Sequence, residues 1–163
     1  MATPYLYALA LGSNRPLSAR RTPVRLLAEA VALIGAEMRV LGVAPILATA
    51  PIGPSTRRFA NGAMLVESAL PPPAMLAFLQ GIEKRLGRRR HRRWGARSID
   101  IDIILWSGGL WRSRALTIPH AAYRTRAFVL TPLLAIVPDW RDPLLGIRVR
   151  HLHARLQKAA SKS

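Results

Sequence analysis

The chain has 163 residues, enough for one domain with a substantial hydrophobic core and too few for two ordinary ones. Hydrophobic residues make up 50%, which excludes a disordered basic protein, and the absence of cysteine excludes disulfides, thiolate metal sites and cysteine nucleophiles. The formal net charge of +17 attracts anions such as nucleotides, nucleic acid or acidic membrane surfaces, without distinguishing among them.

The N-terminal part of the sequence predicts a strand followed by an amphipathic helix. Residues 5–11 form an apolar run typical of a buried strand that ends at Gly12. No basic flank precedes this run, so we expect neither a secretory signal nor a membrane span. Because the chain has no cysteine, we expect a cytoplasmic protein. Residues 17–35 carry apolar side chains at three- and four-residue spacing, which predicts a helix that stops at Gly35.

Two further strands are expected before the middle of the chain. The first covers residues 37–49, with a bulge or bend caused by Gly42 and Pro45. Residues 50–60 are rich in turn-forming residues and predict a loop suited to ligand binding. The second strand covers residues 61–68.

A second helix is expected to begin near Pro73 and to end at Gly87. Gln80 and Glu83 are three residues apart and therefore lie on the same side of this helix. Taken alone, such a polar pair is most simply interpreted as an ordinary solvated face.

The remainder of the chain predicts one more strand, Asp100–Trp106, and then C-terminal additions. These are an extended return over 110–118, short helices over 128–136, a loop over 138–143 and a basic helix over 151–158. The order strand, helix, strand, strand, helix, strand is typical of an α+β fold, a ferredoxin-like βαββαβ sandwich with added C-terminal structure.

The segment with the clearest chemistry places two carboxylates at alternate positions of a strand. Asp100 and Asp102 should share one face of that strand. The aliphatic residues that alternate with them, and so point the other way, are Ile99, Ile101 and Ile103. Two adjacent carboxylates repel each other, so the pair requires solvent, a counter-charge or a metal ion. Mg²⁺ suits such a pair because it takes one or two protein carboxylates and completes its shell with water and substrate phosphates.

A dense arginine run precedes this strand. Guanidinium groups form two-pronged hydrogen bonds to phosphate oxygens, so the run could hold a polyphosphate whose other oxygens bind the metal. The arginines concerned are Arg88, Arg89, Arg90, Arg92, Arg93 and Arg97. Two alternatives stay open at this point: a solvated loop or nucleic-acid patch, and two exposed edge carboxylates paired with the arginines.

Five blocks of the sequence, in the same order, resemble the 6-hydroxymethyl-7,8-dihydropterin pyrophosphokinase family of folate biosynthesis. They are ALGSN from Ala10, TAPIG from Thr49 with Asn61, Gln80 with Glu83, RWGARSIDIDIILW from Arg93, and TIPH from Thr117 with RAFVLTPL from Arg126. The RWGxRxxDxD string is specific to that family, and the resemblance covers almost the whole chain, expected to be a single pyrophosphokinase domain over 1–163.

The resemblance implies transfer of a pyrophosphoryl group from ATP to the hydroxymethyl oxygen of a reduced pterin, leaving AMP. Asp100 and Asp102 resemble the carboxylates that hold two Mg²⁺ ions, and three arginines resemble the residues that grip phosphates: Arg88, Arg90 and Arg97. The positions that resemble the ATP site are Gln80, Glu83, Trp94, Ile103, Leu116, Thr117, His120 and Arg126. Those that resemble the pterin site are Thr49, Ile52, Asn61 and Phe128.

The sequence also departs from the family at Ala115 and Ala121, where many members carry a basic or aromatic residue. An inactive family member is therefore one alternative, and a basic ferredoxin-like module that binds nucleic acid is another. Against nucleic acid, only 6% of residues are aromatic and the strand with Asp100 and Asp102 is anionic. We expect ATP and a reduced hydroxymethyl pterin as partners, no membrane and a monomer.

Overall fold

The structure, a computed structural model, describes residues 3–14, 16–49, 59–87 and 98–163. The strands and helices of the first part are β1 (Tyr5–Ser13), α1 (Pro23–Glu37), β2 (Arg39–Val43), β3 (Leu47–Thr49), β4 (Phe59–Ser68), α2 (Pro72–Arg85) and β5 (Asp100–Trp106). They are followed by β6 (Trp111–Arg112), β7 (Thr117–Ile118), a 3-10 turn (Tyr123–Thr125), α3 (Ala127–Ile136) and α4 (Val149–Ala160).

The main sheet is antiparallel and has the strand order β2-β4-β1-β5, with β3 paired to β4. The first and last strands of the βαββαβ unit are thus neighbours, and β4 lies between β1 and β2. This order is the ferredoxin-like arrangement that the sequence predicted. β6 and β7 form a separate two-stranded ribbon beyond β5.

Helix α1 differs from its prediction at both ends. It begins at Pro23 because Thr22 caps it, its hydroxyl accepting a hydrogen bond from the Arg25 N–H at 3.4 Å. Residues 17–21 instead form a separate turn. The helix does not stop at Gly35 but continues to Glu37, since the Met38 N–H still reaches the Ile34 carbonyl at 3.1 Å.

The strand expected over 37–49 is two strands, β2 and β3. The pairing of β2 with β4 shifts register between Val40 and Gly42, which confirms the bulge. Pro45 lies between the two strands, where its missing N–H removes no ladder hydrogen bond. Further along, Pro132 does not divide residues 127–136 into short helices, since α3 is continuous around it.

Each face of the sheet carries its own hydrophobic cluster. The first face packs against α1 and α2, through residues such as Leu27, Ile34 and Leu79. The second face packs against α3 and α4, through residues such as Leu130 and Leu152. The sheet is therefore covered on both sides, by the two helices of the βαββαβ unit on one and by the C-terminal additions on the other.

The alternation of β5 is reset by a bulge. In the pairing with β1, Leu9 lies opposite Ile103 and Ala8 lies opposite Leu105, so Ile104 is an extra residue. Ile103 consequently packs in the first cluster, whereas Ile104 and Leu105 both pack in the second. Within the described part of the chain, no helix combines the length and apolar character needed to cross a membrane.

Candidate active site

Three neighbouring strands align polar groups in one row across the sheet. Gly12 of β1 lies opposite Asn61 of β4 on one side and opposite Asp100 of β5 on the other. Residues directly opposite each other point to the same face of a sheet. Because Ala10 belongs to the second cluster, this row lies on the face that carries α3 and α4. Asp102, opposite Ala10, lies on the same face.

Gly12, which has no side chain, leaves space between Asn61 and Asp100 in this row. A Cβ atom at this position would lie 3.4 Å from Asn61 Oδ1, so the amide of Asn61 lies beside the space that a side chain would fill. Ala10, the next residue on this face, is also small. The sequence-based prediction identified Asn61 and the two carboxylates but missed Gly12. The signal was present in the small residues at alternate positions of β1, Ala8, Ala10 and Gly12.

Asp100 and Asp102 are partly buried and share one face of β5, as predicted. The isoleucines that alternate with them, Ile99, Ile101 and Ile103, are at most 3% exposed and pack in the first cluster. The side chain of Asp102 keeps 35% of its surface exposed. The pair therefore stands at the rim of the second face, where its oxygens remain accessible.

His120 lies beside this pair, with its Nε2 3.9 Å from Asp102 Oδ2. Its backbone N–H donates to the Ile104 carbonyl at 3.0 Å, and its Nδ1 accepts from the Ala122 N–H at 3.2 Å. With Nδ1 as an acceptor, the neutral ring carries its proton on Nε2. His120 therefore presents an N–H donor toward the carboxylate side.

The charge of His120 is controlled by its surroundings. Burial lowers the pKa of its imidazole, and the nearby guanidinium of Arg126 lowers it further, while Asp100 acts in the opposite direction. Because the pKa lies below its ordinary value near 6.5, the ring is neutral at neutral pH. It can donate a hydrogen bond there without adding positive charge.

Arg126 and Phe128 lie at the start of α3, next in the chain to the 3-10 turn. Both are exposed, Phe128 to 52%, and the guanidinium carbon of Arg126 lies 5.8 Å from the centroid of the Phe128 ring. An aromatic face left this open at the edge of a polar site is suited to stacking on a planar ligand.

Glu83 contradicts the interpretation of the Gln80 and Glu83 pair as a solvated face. Gln80 is exposed, but Glu83 is only 4% exposed. Its Oε1 accepts a hydrogen bond from the Ile101 N–H at 3.3 Å. Ile101 lies between the two carboxylates in the sequence, so Glu83 ties α2 to the strand segment that carries them. The spacing of residues along a helix could not reveal this contact, because Glu83 bonds to a backbone N–H group 18 residues away in the sequence.

The other residues predicted for the nucleotide site differ in where they lie. Ile103 is buried in the first cluster and Leu116 packs against that cluster, away from the carboxylate face. Thr117 is exposed in the β6–β7 ribbon, opposite Arg112. Several predicted site residues lie outside the described residues: Arg88, Arg90, Trp94, Arg97 and Ile52. The same holds for the side chain of Thr49, so the predicted arginine clamp stays a prediction.

The two carboxylates form a donor set that suits Mg²⁺. Over the described ranges, no group of three or more histidine, cysteine, aspartate or glutamate residues could hold a metal ion. A pair of accessible carboxylates is what Mg²⁺ uses when substrate phosphates and water supply its remaining ligands. Asp100 and Asp102 therefore fit a metal that arrives with a phosphate-bearing substrate.

Comparison with known proteins gives several matches. The family model described as 7,8-dihydro-6-hydroxymethylpterin-pyrophosphokinase (HPPK) matches residues 8–138. The 2-amino-4-hydroxy-6-hydroxymethyldihydropteridine pyrophosphokinase of Pseudomonas aeruginosa is 38% identical over 136 residues, which cover 83% of this chain and 82% of that protein. The protein of the same name from Haemophilus influenzae is 35% identical over 142 residues, covering 85% and 84%.

A comparison with solved structures finds proteins of the same fold. Wild-type Plasmodium falciparum HPPK-DHPS superimposes with a TM-score of 0.77 at 14% sequence identity, covering 98% of this chain and 44% of that one. The chain thus spans less than half of that larger protein. The family model covers most of the sequence, and the P. aeruginosa relative aligns over most of both chains. The protein therefore belongs to the 7,8-dihydro-6-hydroxymethylpterin-pyrophosphokinase family.

Proposed function

We propose that this protein transfers the β,γ-pyrophosphoryl group of ATP to the hydroxymethyl group of 6-hydroxymethyl-7,8-dihydropterin, in folate biosynthesis. The hydroxymethyl oxygen forms a bond to the β-phosphorus, the bond from that phosphorus to the α,β-bridging oxygen breaks, and AMP leaves while the hydroxyl proton is released. The observation that carries this proposal is the row formed by Asn61, Gly12 and Asp100, with Asp102 and His120 beside it.

Asp100 and Asp102 are proposed to hold two Mg²⁺ ions together with the triphosphate. Bound Mg²⁺ would neutralise charge on the phosphate oxygens and lower the pKa of the attacking hydroxyl. The protein itself must keep the two carboxylates ionised and adjacent. The partly exposed position at the rim of the sheet supports this role, because water and counter-ions reduce the repulsion between the pair.

The nucleotide side of the site is proposed to use His120 and Arg126. The Nε2–H of neutral His120 can donate to a phosphate oxygen, and the exposed guanidinium of Arg126 can form the stronger, charge-assisted bonds. Arg88, Arg90, Arg97 and Trp94 lie outside the described residues, and their proposed part in binding ATP rests on the family resemblance of the sequence. Gln80 and Thr117 are exposed and are proposed to border the nucleotide. The assignment of Glu83, Ile103 and Leu116 to the ATP site stays a prediction from the sequence, because Glu83 bonds to the Ile101 N–H and the other two pack on the first cluster.

The pterin side is proposed to use Asn61 and Phe128. The amide of Asn61 offers both a donor and an acceptor, which matches the alternating donors and acceptors along the amide edge of a pterin ring. The exposed ring of Phe128 offers a face on which the planar bicycle can stack. Thr49 and Ile52 would complete this pocket. One chain supplies both sides of the site, which favours a single domain that acts as a monomer.

The direct test is an assay of nucleotide products with purified protein, ATP, Mg²⁺ and the hydroxymethyl pterin. We expect AMP and the pterin diphosphate in equal amounts, with no AMP when the pterin or the metal is omitted. Products analysed by ion-exchange chromatography distinguish this from ordinary hydrolysis. Formation of ADP, or the absence of pterin-dependent AMP, would reject the proposal.

A further inference from the structure

Outside the row described above lies a fully buried carboxylate, Asp142, in the segment between α3 and α4. Its Oδ1 accepts hydrogen bonds from the Leu144 N–H at 2.8 Å and the Leu145 N–H at 3.0 Å. Its Oδ2 accepts from the Tyr123 hydroxyl and from Arg124 Nε, the latter at 2.6 Å. Oδ1 therefore stabilises the turn at Leu144 and Leu145. Oδ2 bonds to the 3-10 turn, which precedes α3 in the sequence, whereas Asp142 follows it.

Burial and hydrogen bonds determine the direction in which the pKa values of this cluster shift. Burial alone raises the pKa of Asp142, but the hydrogen bonds from Arg124, Tyr123 and the two backbone N–H groups outweigh it and hold the pKa below its ordinary value. Burial also raises the pKa of Tyr123, as does its bond to Asp142, so the phenol stays protonated and acts as the donor. An ionised acceptor with a charged and a neutral donor makes strong, directional bonds.

The 3-10 turn lies between two residues assigned to the nucleotide side of the site, His120 and Arg126. The Tyr123 N–H donates to the His120 carbonyl at 3.5 Å, and the Arg126 N–H donates to the Tyr123 carbonyl at 3.3 Å. The N–H of Ala122, the residue just before this turn, donates to Nδ1 of His120. A displacement of Tyr123 would therefore shift the backbone of Arg126 and both the backbone and the ring of His120.

Backbone hydrogen bonds also hold Asp142 in place. The Asp142 N–H donates to the Ile147 carbonyl at 2.8 Å, and the Gly146 N–H returns to the Asp142 carbonyl at 2.8 Å. Tyr123 is fully buried in the second cluster, so its ring cannot shift without loss of packing. Oδ2 of Asp142 is thus a fixed acceptor that determines where the 3-10 turn sits.

We propose that Asp142, acting through Tyr123 and Arg124, is a positioning residue for His120 and Arg126. This inference rests on the proposed function, since it concerns binding of the nucleotide. Asp142 itself touches neither substrate. It sets the orientation of the His120 ring and the start of α3, and so tunes the affinity for ATP rather than the chemistry at the carboxylate pair.

The test is the Asp142→Asn variant together with Tyr123→Phe. An amide keeps the oxygen that the Leu144 and Leu145 N–H groups need, but it directs an NH₂ group at Arg124 Nε, which can only donate. The Tyr123 hydroxyl, which faces the same NH₂ group, would have to change from donor to acceptor. Tyr123→Phe removes one of those bonds and keeps the buried ring. Asp139→Asn is the matched control, because Asp139 lies in the same connection, is 66% exposed and pairs only with Arg150 in the described structure.

We expect KM for ATP to rise about tenfold in Asp142→Asn, and less in Tyr123→Phe, because misplacement of binding groups by a fraction of an ångström has effects of this order. KM for the pterin should rise less than KM for ATP, because of the residues proposed for the pterin only Phe128 lies at the start of α3. The control should match the wild type in all constants. Thermal unfolding of each variant verifies that the assay temperature lies well below the midpoint. Folded variants with an unchanged KM for ATP would overturn the inference.

A second readout is independent of activity. Nitrogen-15 chemical shifts of the His120 ring report its tautomer, which we expect to be the Nε2–H form in the wild type and in Asp139→Asn, and a mixture in Asp142→Asn. An unaltered His120 tautomer in a folded Asp142→Asn protein would also overturn the inference. If the wild type forms no AMP, the proposed function fails, but the tautomer experiment still decides whether Asp142 positions His120.

Discussion

The carboxylate pair of β5 should favour activity but not the stability of the folded protein. Asp100 and Asp102 lie side by side, so neutralising one of them relieves repulsion in the folded protein. We expect Asp102→Asn to fold with unchanged or slightly higher stability and to lose at least about a hundredfold in turnover, the scale seen when a group that stabilises the transition state is removed. The measurement is pterin-dependent AMP formation beside thermal unfolding, with Asp139→Asn as the control. Near-normal turnover would contradict the role of the pair.

Gly12 is a second single residue with a separable effect. A Cβ atom there meets Asn61 Oδ1 at 3.4 Å, an ordinary contact, so Gly12→Ala should fold normally. The added methyl group nevertheless occupies the floor between Asn61 and Asp100. We expect pterin affinity to fall by roughly tenfold, the order that one misplaced methyl group costs in a fitted pocket. Unchanged pterin affinity, measured by calorimetry, would mean that the substrate lies elsewhere.

The matched control for Gly12→Ala is Gly81→Ala. Gly81 is exposed in α2, and no atom lies within 4 Å of the Cβ that it would gain. The substitution should stabilise the helix by up to about 1 kcal/mol and leave pterin binding intact.

At the scale of elements, α2 and β5 are joined by Glu83 as well as by the first cluster. Glu83→Ala would leave the Ile101 N–H without its acceptor and should lower the free energy of unfolding by about 1–3 kcal/mol. Glu83→Gln keeps an acceptor at that position and should lose less. Urea unfolding compares the two, with the exposed Gln80→Ala as control. Equal losses in both Glu83 variants would show that charge, not the hydrogen bond, is what matters.

The elements also show which local patterns were informative. The strand of Asp100–Trp106 was predicted with its exact bounds because polar and aliphatic residues alternate strictly at its start. The bulge at Ile104 was not predicted, since it depends on pairing with β1 and all residues from Ile103 to Leu105 are aliphatic. Helix α1 begins at Pro23 rather than at residue 17 because Thr22 and Pro23 form an N-terminal cap, a signal that apolar spacing alone does not contain.

At the scale of the whole molecule, the formal net charge is +17, and the nucleotide proposed as substrate, ATP, is a polyanion. The field of such a charge raises the local concentration of ATP, and salt screens it over about 8–10 Å at physiological ionic strength. We expect KM for ATP to rise several-fold between about 0.05 M and about 0.5 M KCl at fixed free Mg²⁺. KM for the uncharged pterin should change little. A KM for ATP that does not respond to salt would show that contacts within the site alone set nucleotide affinity.

The sequence by itself determined the order of elements, the shared face of Asp100 and Asp102 and, through colinear motifs, the family. These features are local: alternation along a strand and spacing along a helix are properties of neighbouring residues. Only the tertiary structure decided which groups from distant segments meet. It brought Asn61 next to Gly12 and Asp100, turned Glu83 inward to the Ile101 N–H, and joined Asp142 to Tyr123. Each of these contacts depends on strand register or on helix docking, which the packing of the whole chain sets and no local pattern encodes.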